Sequence, residues 1–450
     1  MQTSTIKFSQ IEDRIDAEYY KPEYLKLEKF LNISKNVFTV GEIIKSIQHP
    51  REFKREYSTV GGIPYLRVSN VKDGYIDLSD IEYIYSGNSI GLNKINSGNI
   101  LITRSGTVGI PVLVTSEFDN LLISADFLKL VLNEKLGNLI INPYFIYIFL
   151  SSKLGASQAQ RKLIGALQKH INTEGLSSIK IPIPSQSFQQ KIEKMVKETQ
   201  EKRKLADEKY KEAEEILNKE LGLGDLDLST QKTFETKFSE AEDRFDPEYY
   251  QSKYKKIISK LKSQKLALLG EIVKIRKGVE VGHEAYANEG RPFIRVQDFD
   301  EKELAVGGST NYIRPYLYEE LKKNHKPNAG EIIFSKDGTV GRAFVIREDS
   351  NEFIVSGGIL ILTPRDIDNY YLSFVLNSLA VKSQTIRESI GAIIQHLSID
   401  DVKKLQIPIL SQSLQQKISF LIQHSFKLRQ EAKELINRAK REVEKIIERE

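Results

Sequence analysis

The chain has 450 residues, enough for two or three domains with cores of their own, and its 40% hydrophobic and 28% charged content describes a water-soluble globular protein. It contains no cysteine, which excludes disulfides, thiolate zinc sites and thiol catalysis, and its strongest apolar run, Tyr144 to Leu150, falls far short of the ~18 residues of a membrane helix. A net charge of +5, from 66 basic and 61 acidic residues, permits a nucleic-acid partner without requiring one.

Taken in order, Met1 to Arg14 lacks the apolar core of a secretory signal, so a cytoplasmic location is expected. The next feature is a phrase that occurs twice. Lys7-Phe-Ser-Gln-Ile-Glu-Asp-Arg-Ile-Asp-Ala-Glu-Tyr-Tyr20 returns as Lys237-Phe-Ser-Glu-Ala-Glu-Asp-Arg-Phe-Asp-Pro-Glu-Tyr-Tyr250. Further echoes follow in the same order: Gly41-Glu-Ile-Ile and Gly270-Glu-Ile-Val, Pro64-Tyr-Leu-Arg67 and Pro292-Phe-Ile-Arg295, and the stretches Asn96 to Gly109 and Asn328 to Gly341. The last echo joins Ile164-Gly-Ala-Leu-Gln-Lys-His170 to Ile390-Gly-Ala-Ile-Ile-Gln-His396. The protein is one unit of about half its length, written twice.

Within each unit, short β-rich runs come first: Gly98 to Thr103 and Pro111 to Val114, then Glu331 to Ser335 and Ala343 to Ile346. They are bounded by Gly-Thr-Val-Gly turns and predict a small, mostly antiparallel or curled sheet. Asn142-Pro143 caps a helix through Ser151, and Asn369 begins its counterpart. A second helix is expected over Ser157 to Gln168 and over Lys382 to Gln395.

Each unit closes on a long helix. Ile181-Pro-Ile-Pro-Ser-Gln-Ser-Phe-Gln-Gln-Lys-Ile192 and Ile407-Pro-Ile-Leu-Ser-Gln-Ser-Leu-Gln-Gln-Lys-Ile418 are extended up to the proline and helical after it. Ser187 with Gln190, and Ser413 with Gln416, have the spacing of a capping box. In the distal helix Ile418, Ser425, Ala432, Ala439 and Ile446 recur every seventh residue, with Leu421, Leu428 and Leu435 as a second row. The central helix repeats the pattern with Ile192, Thr199, Ala206 and Ala213, beside Met195, Lys202, Lys209 and Ile216, and with Val196, Tyr210 and Leu217 alongside. At ~1.5 Å per residue each is a rod of roughly 50 Å. The paired stripes predict an antiparallel two-helix coiled coil that holds the units apart by more than a turn of duplex DNA, about 34 Å. The chain is thus divided into 1–184, a central helix 185–221, a linker 222–230, a second unit 231–410 and a distal helix 411–450.

The frame repeats, but the loops do not. Gln48 to Gly62 differs from Val279 to Gly290, and Asn70 to Leu92 differs from Asp298 to Leu321, which points to two unlike recognition surfaces on one scaffold. Candidate DNA contacts are Arg67 and Arg295 at strand ends, with Asn70 and Gln297 beside them, and Arg104, Ser105, Lys336 and Arg342 in the matching turns. Arg161, Lys162, Gln168 and Lys169, with Arg387 and Gln395, are expected along the second helix of each unit.

Catalytic signatures are missing. Asn142-Pro143-Tyr144 lacks the second proline of an adenine-methyltransferase motif and has no echo in the second unit. There is no Gly-x-Gly-x-x-Gly or P-loop phrase, and the six histidines have no metal-binding spacing. His170 and His396, at equivalent positions, are expected to cap or hydrogen-bond locally.

The doubled Ile-Pro-Ile-Pro/Leu-Ser-Gln-Ser-x-Gln-Gln-Lys-Ile phrase, the Gly-Asn/Glu-Ile-Leu/Ile-x-x-Arg/Lys-x-Gly-Thr-Val-Gly turn and the Gly-Ala phrase before each histidine resemble the specificity subunit of type I restriction-modification enzymes. The resemblance runs almost end to end. It implies an α+β fold: two similar mixed α/β target-recognition domains separated by a long antiparallel coiled coil. It also implies a noncatalytic subunit that reads a bipartite site in double-stranded DNA and docks two methyltransferase subunits, with restriction subunits in the full complex and no membrane. S-adenosylmethionine, and ATP with Mg²⁺ for restriction, are then expected on the partners, and this chain needs no cofactor. The alternative is a coiled-coil scaffold without sequence reading.

Overall fold

The computed structural model describes residues 5–449 other than 7, 9–10, 12–13, 34–35, 59–60, 73, 86–93, 106, 166–168, 225, 227, 230–232, 238–243, 245, 307–309, 348–351 and 392–393. The chain divides into two compact units, Met1–Glu201 with Glu431–Glu450, and Lys202–Gln430.

The apolar runs become strands because each has a covered face. In the first unit Ile44–Gln48, Phe127–Leu132, Ile100–Thr103 and Pro111–Leu113 make an antiparallel four-stranded sheet in that order. The second unit repeats it with Val273–Lys277, Ile359–Pro364, Ile332–Ser335 and Ala343–Val345. A further four-stranded sheet accompanies each. In the first unit it holds Leu122–Ile123, Ile63–Leu66, Glu82–Ile84 and Tyr57–Ser58; in the second, Ile354–Val355, Arg291–Ile294, Asn311–Ile313 and Tyr286–Ala287. Each smaller sheet contains one parallel pair, Leu122 beside Tyr65 and Ile354 beside Phe293. Where one sheet was expected, the described residues of each unit form two four-stranded sheets beside shorter two-stranded ones, because strands from the divergent loops contribute to a layer of their own.

The main sheet buries one face under helices. Asn142 caps Pro143–Ser151, whose Phe145, Ile146 and Phe149 join Ile100, Ile102, Leu128 and Leu130 in one core. In the second unit Asp368 caps Asn369–Asn377 over Ile332, Phe334, Leu360 and Leu362. The other face carries Leu101, Val112 and Phe127 against Leu66 and Ile123 of the smaller sheet. The second helix is shorter and earlier than expected, Lys153–Arg161 and Leu379–Glu388. Its N-cap is Ser152 or Ser378, and the chain beyond it turns back through Gly165 and Gly391, both at positive φ, so that Ile164 bridges His170 and Ile390 bridges His396.

The long helices are Gln186–Leu221 and Gln412–Arg449. Each begins earlier than the expected capping box. Ser185 lies before the first turn and its carbonyl accepts from the N–H groups of Phe188 and Gln189, while Gln190 is exposed. The glutamine that matters is Gln189, whose amide donates to the carbonyls of Pro184 and Ile140; Gln415 donates likewise to Leu410. Gly222, at φ +64°, ends the central helix, with the N–H of Leu223 returning to the carbonyl of Asn218.

The expected first heptad row is buried: Ile192, Thr199, Ala206 and Ala213, and Ile418, Ser425, Ala432 and Ala439. Of the expected second row Met195, Leu421 and Leu428 are buried as well, and so are the residues one position on, Val196, Tyr210 and Leu217, and Ile422, Arg429, Ile436 and Val443. Each helix presents a stripe at i, i+4 and i+7, wider than a narrow a/d seam, because its flanks also cover the cores of the units. Lys191 pairs with Glu442, Ala206 accepts from the Ser425 hydroxyl at 2.7 Å, and Asp207 pairs with the buried Arg429. No described helix is long and apolar enough to cross a membrane.

Candidate nucleic-acid interface

The central strand of each main sheet ends in the same turn. Thr103 donates its hydroxyl to the carbonyl of Thr107 and accepts from the N–H of Ile110; Ser335 does the same with Thr339 and Arg342. Gly109 and Gly341 close the turn at φ +84° and +82°, donating 2.8 Å hydrogen bonds to the carbonyls of Thr103 and Ser335. The repeated Gly-Thr-Val-Gly phrase is this geometry. It places Arg104 and Lys336 at the strand exit, where their N–H groups bond the carbonyls of Asp126 and Gly358.

Beside this exit lies a second repeated turn. Val68–Asn70 and Val296–Asp298 are single 3₁₀ turns, closed when Asn70 or Asp298 accepts from the N–H of Arg67 or Arg295 at 3.0 and 2.8 Å. Asn70 is 2% exposed and its amide also reaches the carbonyl of Asp80, so its side chain is spent inside the turn. Asp298 is 4% exposed; burial raises its pKa against the pull of Arg295. Arg67 pairs with Glu82 at 2.9 Å, and Gln297 is exposed.

In the first unit the two turns share a polar cluster. Arg104 Nη1 lies 3.2 Å from His49 Nε2, which is 3.0 Å from the carbonyl of Ala125. Ser105 and Ser124 donate their hydroxyls to the two oxygens of Asp126. Asp126, Arg55 and Arg67 all act on the buried Tyr65 hydroxyl, whose pKa is raised chiefly by burial. In the second unit Asp337 takes the place of Ser105, accepting from Lys336 at 2.6 Å and from His396. Gly358, at the position of Asp126, lies close to Asp337 and to Val296. Lys336 is only 6% exposed, and Arg342 extends toward the carbonyl of Phe299 at 3.4 Å.

The remaining candidates belong to a clasp. Arg161, 8% exposed, donates to the carbonyl of Tyr19 and to Glu28 and lies 4.2 Å over the Tyr19 ring; Lys162 donates to the Tyr19 hydroxyl. Arg387 stacks 3.9 Å over Tyr249 and donates to its carbonyl. From the other side Arg14 donates to the carbonyl of Leu163, and Arg244 to that of Ser389. Arg14 and Tyr19, and Arg244 and Tyr249, from the twice-written phrase, thus fasten the start of each unit to its second helix through stacked Arg and Tyr.

Lys169 lies beyond that helix, exposed and 3.5 Å from Glu18, and Gln395 sits in a two-residue strand paired with Gly338. Gln168 lies outside the described residues. Asn142 is occupied as a helix cap and donates to Glu193. Sequence reasoning missed His49, Asp126, Arg55 and Tyr57, which lie in or beside the divergent loop before the smaller sheet. The one signal was charge. In the first unit that loop carries exposed Arg51, Lys54 and Arg55 among exposed Glu52 and Glu56, whereas the second carries exposed Glu280, Glu284 and Glu289.

Among solved structures the chain is similar to a type I restriction-modification system S subunit from M. genitalium, at 16% identity and a TM-score of 0.43, over 93% of this chain and 96% of that one. It is also similar to the HsdS subunit from Thermoanaerobacter tengcongensis, at 16% identity and a TM-score of 0.28, over 92% and 94%. A third similar chain, at 17% identity and a TM-score of 0.30 over 91% and 96%, comes from work on complex assembly and conformational transition of the type I R-M system. No curated protein matches. The type I restriction modification DNA specificity domain matches twice, over residues 32–215 and 264–441, once in each repeat. With most of its length so matched, the chain belongs to the family of type I restriction-modification DNA specificity subunits.

Proposed function

We propose that this chain is a noncatalytic subunit in which each repeat reads one half of a split site in double-stranded DNA, while the paired helices set the spacer and receive two methyltransferase subunits. The observation that carries the reading is one frame used twice with unlike loops. Matching turns hold Arg104 and Lys336, and Arg67 and Arg295, beside loop layers that differ in length, charge and strand content. Arg67, Arg104, Ser105, Arg295, Gln297, Arg342, Lys169 and Gln395 are among the candidates with exposed or half-exposed side chains, and these are proposed to meet DNA. Asn70, Arg161, Lys162, Lys336 and Arg387 are engaged within the protein and are proposed to shape that surface. Gln168 stays with the first group on its chemistry alone.

The restriction subunits join through the methyltransferases, which hold S-adenosylmethionine, while ATP and Mg²⁺ serve the restriction step. The complex works in the cytoplasm. The test is an insertion of one helical turn after Glu208, matched in the distal helix. In the complex with its methyltransferase subunits it should lengthen the methylated motif's spacer and leave both half-sites unchanged; an unaltered spacer contradicts the reading.

A further inference from the structure

In each unit a carboxylate at the end of the main sheet is placed in a way that the turn does not need. In both units the turn is closed by a strand-end hydroxyl, a glycine at positive φ and a backbone bond across to the next strand. None of these uses a carboxylate. Yet each unit has one here, carried on different strands: Asp126 faces Ser105 in the first unit, and Asp337 faces Gly358 in the second. The charge is kept although its position in the repeat has moved.

Its surroundings leave it able to accept further hydrogen bonds. Asp126 receives Ser105 and Ser124, one on each oxygen; Asp337 receives His396 and Lys336, again one on each. A carboxylate has about four lone-pair sites, so two remain on each group. Asp126 is half-buried and the Asp337 side chain is 30% exposed, so both can be reached from outside. Each stands next to a strand-exit cation, Arg104 or Lys336, and beside the turn that carries Arg67 or Arg295. A surface that only gripped phosphates would lose affinity through such a group. In the major groove the base edges that donate are the exocyclic amines, cytosine N4 and adenine N6.

We propose that Asp126 and Asp337 each accept a hydrogen bond from the exocyclic amino group of one base in the half-site contacted by their own unit. This rests on the proposed function above. The test uses the full chain with its methyltransferase subunits, reading the methylated motif by sequencing and affinity by competition between duplexes. Asp126→Ala should make one position in one half-site degenerate, with an about 5- to 100-fold loss of discrimination there, and leave the other half unchanged. Asp337→Ala should do the same to the opposite half. The double substitution Ser105→Asp with Asp126→Gly copies the second unit's arrangement and should keep the wild-type base; it also decides the matter if Asp126→Ala does not fold. An unchanged motif in both alanine variants, loss of both half-sites together, or a relaxed motif in the double variant overturns the proposal. A wild-type complex that prefers no duplex over random competitor overturns the proposed function instead.

Discussion

Arg161 shows why residue type alone ranks DNA contacts poorly. Its helix was expected to present it to solvent, but the partner that buries it, Tyr19, lies far away in sequence. Arg161→Ala should therefore cost about 2–3 kcal/mol through lost charged hydrogen bonds, lowering the thermal midpoint while the methylated motif stays the same. Asp298 is a second case, because its counterpart Asn70 makes the same turn without a charge. Burial raises the Asp298 pKa above its ordinary value of 3.8, so folding favours the protonated form. The sign follows: this stability is present below 3.8 and is lost as pH rises through the folded-state value. Asp298→Asn should accordingly stabilise the second unit at neutral pH, with the gain over wild type shrinking in acid, as chemical denaturation across pH will show.

At the scale of elements, the long helices were the most legible feature and their starts the least. A heptad row is a periodic signal over dozens of residues, and Ala206, Ala213, Ala432 and Ala439 are all fully buried as that row required. At Ala206 the carbonyl lies close enough to accept from the Ser425 hydroxyl. Ala439→Leu should overpack the contact and cost about 1–3 kcal/mol, seen as a lower thermal midpoint of the full chain. Capping depends on one or two bonds, and Ser185 with Ser187, both within the same phrase, offered two nearly equivalent starts. The structure uses Ser185 because Gln189 then reaches the carbonyls of Pro184 and Ile140. The second helix of each unit was placed too far along for a related reason. Ile164 to His170 and Ile390 to His396 read as helix continuation, but Gly165 and Gly391 reverse the chain there.

For the whole molecule, duplication governs function, and replacing 231–406 with a foreign unit should change one half of the methylated motif and leave the other intact, as sequencing of modified DNA will reveal. The sequence by itself determined the repeat, the mixed α/β character, the pair of long helices with their first heptad row, and the family. Those properties are periodic or repeated, so many residues report the same fact and a local misreading does not matter. Only the tertiary structure decided that each unit has two four-stranded sheets, that Arg14 and Arg244 belong to a clasp, and that Arg161 and Arg387 are stacked on tyrosines. It alone placed Asp126 and Asp337 each at the strand exit of its own unit. These facts depend on single side chains meeting partners far along the chain, where burial and hydrogen-bond geometry, rather than local propensity, choose the outcome.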